Sequence, residues 1–518
     1  MALNSDCVGS EEIHKNGKCK DELSMGLEDI VYEFDEAIEM AGTGWYNRGL
    51  LLTLSIGLLG MGIDIFGFSI IVTGSACDFH VNMWQKSVLM SMPFIGPILM
   101  SIAWGYVSDT RGRKKALLIA LWGSFLSSFI SAFSYNWIML AVLKVSSTCF
   151  CSAIQSCAYA LLGESCASRV RGFYMLIMTS VLMLFLVSYV VPGYFILNLN
   201  FATNLGLITF TPWRLLTIIM ACPLGISAFL LHFYYESPKF LLNAGCESQA
   251  LDYLTRIYVR NGGRADDYPV HRLVLNENIK TQRKSPDTHI LKSLWAQTIP
   301  LFQPPLLWTT CQLFFLTTVV YSINNALVMW FPHIVESFTA GINSAEDEEA
   351  RSLCSIIIST GGSSDDTTMI CSSTIKSRTL LSGVTHGLLF AGVTLAVSKL
   401  ASKKKGLMIA FLLIPLLSSV GAVFNENNVV SLLLFVGMMM TNLCMGPLFA
   451  YYVDLYPTSY RGMAACLGVM VARISGLGGV NFLGIYVMTH CTMTFYAFSA
   501  YLLCGILVAA YFLPAGKS

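Results

Sequence analysis

Long apolar runs constrain this chain more than any other feature. Twelve of them fall at roughly 49–74, 88–108, 115–135, 137–163, 172–198, 213–235, 307–331, 379–398, 406–424, 429–451, 461–488 and 494–513. A helix crosses a bilayer with about 20 mainly apolar residues, whereas a barrel strand needs only about 10. In lipid every backbone N–H and C=O must be satisfied internally, and runs of this length achieve that as helices. The reading is therefore an all-α polytopic membrane protein of twelve spans. Composition agrees: only 12% of the 518 residues are Asp, Glu, Lys or Arg, against about 25% in a soluble chain. The 41 Gly show no three-residue period, and 16 Cys are too dilute for a disulfide scaffold. A net charge of +1 gives no electrostatic case for nucleic acid.

Residues 1–48 hold eleven acids and four Lys or Arg. They contain no apolar secretory segment, so the first run is expected to insert and stay. Short-loop basic residues set orientation. They follow span 2 (Arg111, Arg113, Lys114, Lys115), span 4 (Arg169, Arg171), span 8 (Lys399, Lys403, Lys404, Lys405) and span 10 (Arg461), while the opposite face offers mainly Lys86. Both termini are thus expected in the cytosol. The expected organisation is an acidic tail (1–48), a six-helix bundle (49–235), a cytosolic linker (236–306), a second bundle (307–513) and a short tail (514–518). The linker should form a helix with Leu251, Leu254, Ile257 and Tyr258 on one face. Loop 332–378 is expected on the lumenal or extracellular side. There Cys354 and Cys371 lie in an oxidising compartment and are candidates to pair. No N-x-S/T sequon occurs.

The two six-span blocks repeat one pattern. Glu164 ends span 4 and Arg171-Gly172 opens span 5; Asp454 ends span 10 and Arg461-Gly462 opens span 11, at the same seven-residue spacing. Internal repeats of this kind build secondary transporters around a site near the bilayer midplane. The span 2–3 loop, Gly105-Tyr106-Val107-Ser108-Asp109-Thr110-Arg111-Gly112-Arg113-Lys114, fits G-x-x-x-D-x-x-G-R-K. Gly105 permits close helix approach, Gly112 suits a tight turn, and Asp109 and Arg113 are placed to meet opposite charges.

With these motifs the chain resembles the major facilitator superfamily over essentially all of 45–513. Glu164…Arg171-Gly172, Asp454…Tyr456-Pro457-Thr458…Arg461-Gly462 and Glu236-Ser237-Pro238 resemble its sugar-porter and organic-ion branches. Phe34-Asp35-Glu36-Ala37-Ile38, Trp213-Arg214, Trp330-Phe331-Pro332 closing span 7, and Tyr456 to Arg461 are most similar to the synaptic vesicle glycoprotein 2 group and its insect-type relatives. The resemblance implies two pseudo-symmetric bundles that bind a small solute between them. There are departures. The 398–406 loop lacks the Asp of its first-half counterpart, Lys144 stands where these relatives carry Arg, and the span 7 sugar-porter pattern is only partly present.

Ionisable residues inside hydrocarbon are expensive and mark functional sites. Asp64 (span 1), Lys144 (span 4) and Arg473 (span 11) are therefore the substrate or coupling candidates, with Gln312, Asn324 and Asn325 as neutral partners. Asp64 is read as proton- or cation-responsive, and the alternative is a static Asp64–Arg473 pair. Lys144 could instead snorkel to the outer interface. One acid and two bases lean toward an anionic or zwitterionic solute. Gly105, Asp109, Gly112, Arg113, Glu164, Arg171, Glu236, Asp454 and Arg461 are expected to form a cytosolic gating network where the bundles meet. No enzyme motif or metal-ligand spacing occurs, and no cofactor is expected. The expected partners are the bilayer, a small solute and a coupled proton or other ion. The expected location is the plasma membrane or an intracellular vesicle. Two functions remain open: a secondary transporter working by alternating access, or a transport-degenerate vesicle-membrane regulator or binding scaffold.

Overall fold

The structure is a computed structural model describing residues 31–512, except 205, 207, 275–297, 345–353, 355–374, 398–403, 426, 457 and 488. Side chains at 337–344, 397, 428, 450, 453–454, 458–462 and 466 also lie outside the described residues. Among the described residues, eleven helices are long and apolar enough to cross a membrane. The expected third span is filled by Arg113–Ser131, whose first turn carries Arg113, Lys114 and Lys115. The result is the expected twelve-span, all-helical bundle.

Several spans depart from the run lengths. Span 1 comprises two helices, Trp45–Phe66 and Phe68–Phe79, joined at Gly67. A side chain at Gly67 would lie 2.5 Å from the Ile63 carbonyl and 3.0 Å from Tyr189 of span 5, so the bend needs glycine. Span 4 is interrupted after Cys151 and resumes at Ile154. Span 10 passes through a 3-10 turn at Met439–Cys444. Span 7 does not close at Trp330-Phe331-Pro332: the helix runs Leu307–Ser344 with Pro332 inside it. A membrane helix tolerates an interior proline because its neighbours re-satisfy the freed carbonyl.

At one end of the bundle, here called the tail face, the residues before span 1 pack on the linker. Val31–Glu33 pairs in parallel with Arg272–Val274. Phe34–Met40 follows as a helix that buries Phe34, Ala37 and Ile38. The linker helix Glu247–Arg260 buries Ala250, Leu254 and Ile257, while Leu251 and Tyr258 are half-buried. Tyr268 donates from its hydroxyl to the Ala37 carbonyl at 2.8 Å. Asn261 fastens this cap to span 1. Its Nδ2 lies 3.0 Å from the carbonyls of Ala41 and Gly42 and from Asn47 Oδ1, and its Oδ1 accepts from the Tyr46 N–H at 3.2 Å.

The opposite end, the far face, is where the two bundles close on each other. Ser87 of span 2 hydrogen-bonds Asn481 of span 11 at 3.3 Å. A side chain at Gly484 would lie 2.4 Å from the Ser87 hydroxyl and 2.5 Å from Trp330. Asn198 Nδ2 reaches the Ile375 carbonyl at 3.2 Å. Small residues therefore let spans 2, 7 and 11 approach closely.

The expected Cys354–Cys371 bridge is corrected. Cys354 is bonded to Cys491, at the start of span 12, with a Cα–Cα distance of 5.4 Å. Cys371 lies outside the described residues. Sequence spacing favours the nearer cysteine, but packing of the second bundle brings Cys491 to Cys354. Cys77, at the end of span 1, is disulfide-bonded as well. Non-reducing peptide mapping of the purified protein should recover Cys354 joined to Cys491. A dominant Cys354–Cys371 peptide would contradict this arrangement.

Candidate transport site

Asp64 sits three residues before the Gly67 bend, facing the interior of the first bundle. Its Oδ1 is 2.8 Å from Lys144 Nζ, and both side chains are almost fully buried. Lys144 also donates to the Asp64 main-chain carbonyl. Ser147 donates to Oδ2 at 2.9 Å, and Ser128 donates to Oδ1. Ser124 and Ser128 on span 3 contact Ser147 at 3.0 and 3.1 Å. The carboxylate is thus neutralised by one cation and solvated by hydroxyls in place of water. Lys144 Nζ further lies 5.0 Å from the centre of the Phe68 ring.

The static Asp64–Arg473 pair is therefore not formed, because Lys144 holds Asp64 within the first bundle. Nor does Lys144 snorkel: its ammonium turns inward, where a carboxylate offers more than the interface does. The three serines were not singled out in the sequence. Their signal was available in helical spacing: Ser124 and Ser128 are four apart, and Ser147 follows Lys144 by three, so each pair shares a helix face.

Arg473 is the second polar centre. It lies on span 11 of the second bundle, within electrostatic reach of Tyr321 on span 7 and of Cys151 on span 4 of the first bundle. Cys151 in turn neighbours Asp64 and Lys144. Among the described residues, Arg473 Nε is buried without a hydrogen-bond partner and no carboxylate pairs with the guanidinium. One turn along, Gly476 allows close approach by Asn325. Asn324 donates to Asn325 Oδ1 at 3.5 Å, which leaves Asn324 Oδ1 and Asn325 Nδ2 buried and unpaired. Such groups are stable only when something satisfies them. Gln312 is half-buried three turns nearer the start of span 7.

At the tail face, Arg113 pairs with Asp109 and reaches Glu164 Oε1 at 3.4 Å. Glu236 caps span 3, accepting from the Lys114 N–H at 2.7 Å and the Lys115 N–H at 3.2 Å. Negative charge at a helix N-terminus is favourable there. Gly112, at φ 104°, makes this possible: a side chain would lie 2.5 Å from Glu236 Oε2. Glu164 and Arg171 do not meet each other, despite their spacing. Ser237 donates to Glu164, while Arg171 turns to Asp35 of the tail at 3.5 Å. Asp109 remains largely exposed, and open space surrounds Gly105 and Gly172. The side chains of Asp454 and Arg461 lie outside the described residues. The described members thus gather within the first bundle, its linker and its tail, and not across the contact between bundles.

Removing one partner of the buried Asp64–Lys144 pair strands the other. Asp64→Asn or Lys144→Met alone should destabilise the purified protein by about 3–5 kcal/mol, and the double variant by markedly less. A thermal-unfolding double-mutant cycle checks this; additive losses would show that the two groups are not coupled.

The chain was compared with known proteins. The family model described as Major Facilitator Superfamily matches residues 52–480. The rat (Rattus norvegicus) synaptic vesicle 2-related protein is 24% identical over 464 residues, covering 87% of this chain and 75% of that protein. Human (Homo sapiens) synaptic vesicle glycoprotein 2C is 23% identical over 342 residues, covering 60% and 45%. Among solved structures, a D-xylose-proton symporter superposes with a TM-score of 0.63 at 14% identity, covering 91% of this chain and 99% of that one. The inward-open xylose transporter XylE from E. coli gives 0.64 at 15% identity, with 91% and 98% covered. At such identities the structural likeness speaks to the fold alone, and the matched family model carries the assignment. With two six-span bundles, a repeated acid–Arg pattern and a family match over most of its length, the chain belongs to the Major Facilitator Superfamily of membrane transporters.

Proposed function

We propose that this protein is a secondary transporter that carries a small organic anion, or a zwitterion presenting an anionic group, by alternating exposure of the space between its bundles. The observation that carries this reading is Arg473. Asp64 and Lys144 cancel each other, so the polar centre keeps one net positive charge, on a guanidinium without a described partner. A desolvated guanidinium favours a carboxylate or similar anion through charge-assisted, bidentate hydrogen bonds. The unpaired amides of Asn324 and Asn325 are suited to bind the neutral part of the solute.

Asp64 is the proposed coupling group. Protonating its carboxyl would release Lys144 and change the charge of the centre by one. Asp109, Arg113, Glu164, Arg171 and Glu236 brace the first bundle, its linker and its tail, so a tail-face gate is proposed to depend on Asp454 and Arg461 of the second bundle. Here Asp109 is exposed and the far face is closed by Ser87 on Asn481, an arrangement suited to admitting or releasing solute on the tail side. The tail face is proposed to lie in the cytosol, a reading its basic loops support, and the membrane is proposed to be that of a vesicle or the cell surface.

A stabilisation screen on purified protein tests the substrate class. Organic anions should raise the melting temperature, by an amount equivalent to about 2.7 kcal/mol at a hundredfold excess over Kd. Arg473→Gln should weaken binding roughly 10- to 100-fold, the loss of a charged hydrogen-bonding group. Arg473→Lys should retain part of it. Stabilisation by neutral sugars or organic cations alone, unchanged in Arg473→Gln, would refute the assignment.

A further inference from the structure

A second buried charged cluster lies outside the centre just described, at the far-face contact between the bundles. Lys86, in the first turn of span 2, is only 8% exposed. Its Nζ lies 3.2 Å from His333 Nδ1 of span 7, across the boundary between the two bundles. Glu336, three residues after His333 and so on the same helix face, is within electrostatic reach of Lys86. Its Oε1 accepts from the Lys376 N–H at 3.2 Å, just before span 8. His333 Nε2 is buried without a partner among the described residues, and the ring packs 5.4 Å from Trp330.

The geometry limits the charge this contact can hold. A lysine ammonium only donates, so a hydrogen bond to His333 Nδ1 requires a neutral imidazole that presents its lone pair there. If the proton moved to the ring, the amine would have to be neutral. In either case the Lys86–His333 pair carries one positive charge, which Glu336 balances. One more proton taken from the far-side solution leaves the cluster with a net charge. On His333 it sets an imidazolium against an ammonium at 3.2 Å; on Glu336 it removes the balancing anion. Both burden only the closed state, because opening moves Lys86 away from span 7 and lets water reach each group.

Among the described residues, the surrounding elements offer no substitute balance. Span 11 contributes the neutral Asn481, bonded to Ser87, and beyond it the exposed His490. The segment leading into span 8 adds two cations, Lys376, also within reach of Glu336, and the exposed Arg378. The far helix of span 1 ends in Asp78, held by Thr211 at 2.8 Å and Trp213 at 2.6 Å, and in the exposed His80.

We propose that Lys86, His333 and Glu336 form a proton-binding site at the far-face contact between bundles, and that filling it opens that face. The site is separate from Asp64, and it gives an acidic compartment on the far side a direct hold on the transport cycle. The inference rests on the alternating-access reading, but not on the identity of the solute.

The test uses the full-length protein in lipid nanodiscs and measures amide hydrogen exchange, corrected for intrinsic pH dependence, across residues 83–95 and 325–336. Between about pH 7.5 and about pH 5.5, a range that brackets the ordinary histidine transition, exchange in both segments should rise. The slope approaches about tenfold per pH unit if one proton is taken up per opening. His333→Gln, which keeps an acceptor for Lys86 but takes up no proton, should flatten the response. Glu336→Gln should raise exchange already at the higher pH. An unchanged wild type overturns the proposal, as does a wild-type response kept in both variants. If organic anions still stabilise a wild type that shows no pH response, the gate fails while the transport reading stands.

Discussion

A carboxylate inside a bilayer must be neutralised or solvated by the protein itself. Here Lys144, Ser128 and Ser147 do both for Asp64. The location of this pair matters as much as its existence. Both partners belong to the first bundle, so the bundles can move against each other without separating the two charges. A pair spanning the bundles would tie its cost of separation, several kcal/mol per buried ion, to every conformational change. Because Asp64 is satisfied from its own side, Arg473 of the second bundle keeps a charge that no described residue cancels. On the proposed reading, a solute supplies that missing anion, and its arrival is what alters the balance between states.

The architecture was legible in the sequence because the bilayer imposes so few solutions. Run length gave the spans, and the recurring acid–Arg spacing the duplication. The charged candidates Asp64, Lys144 and Arg473 were equally visible, since a charge stands out within a hydrocarbon run. Their partners were not, because pairing depends on how helices rotate about their axes. Asp64 had two cations to choose from, and spacing cannot say that span 4 presents Lys144 inward while span 11 turns Arg473 toward the bundle contact. The serines around Asp64 were hidden for another reason: a hydroxyl in a transmembrane helix commonly satisfies itself on the carbonyl one turn back, as Thr73 does on Ser69 at 3.0 Å. Cys354 misled because sequence distance favoured Cys371, whereas three-dimensional proximity belonged to Cys491.

The tail face follows the same logic of a unit closed on itself. Seven-residue spacing placed Glu164 and Arg171 at the ends of adjacent spans, yet Arg113 and Ser237 take Glu164, and Asp35 takes Arg171. Glu236 caps span 3 through the space that Gly112 leaves. Asn261 ties the linker to the start of span 1 through both ends of its amide. Together these contacts join the first bundle, the linker helix and residues 31–44 into one packed body.

Charge placement then separates two kinds of contact. Pairs within a bundle, such as Lys144 with Asp64, are the same in every orientation of the two bodies and so set stability. Lys86 with His333 crosses between bodies, so on the alternating-access reading it exists in only one orientation and its free energy enters the difference between states. A protonation event changes a conformational equilibrium only through such a difference. On the two proposed readings, a proton taken up at Asp64 acts through the charge it restores to the centre, whereas one taken up at His333 or Glu336 acts directly on the closed contact. The two proposed proton-responsive groups, at different depths, would then respond to the same acid in different ways, one by changing what the centre holds and the other by changing which face it opens to.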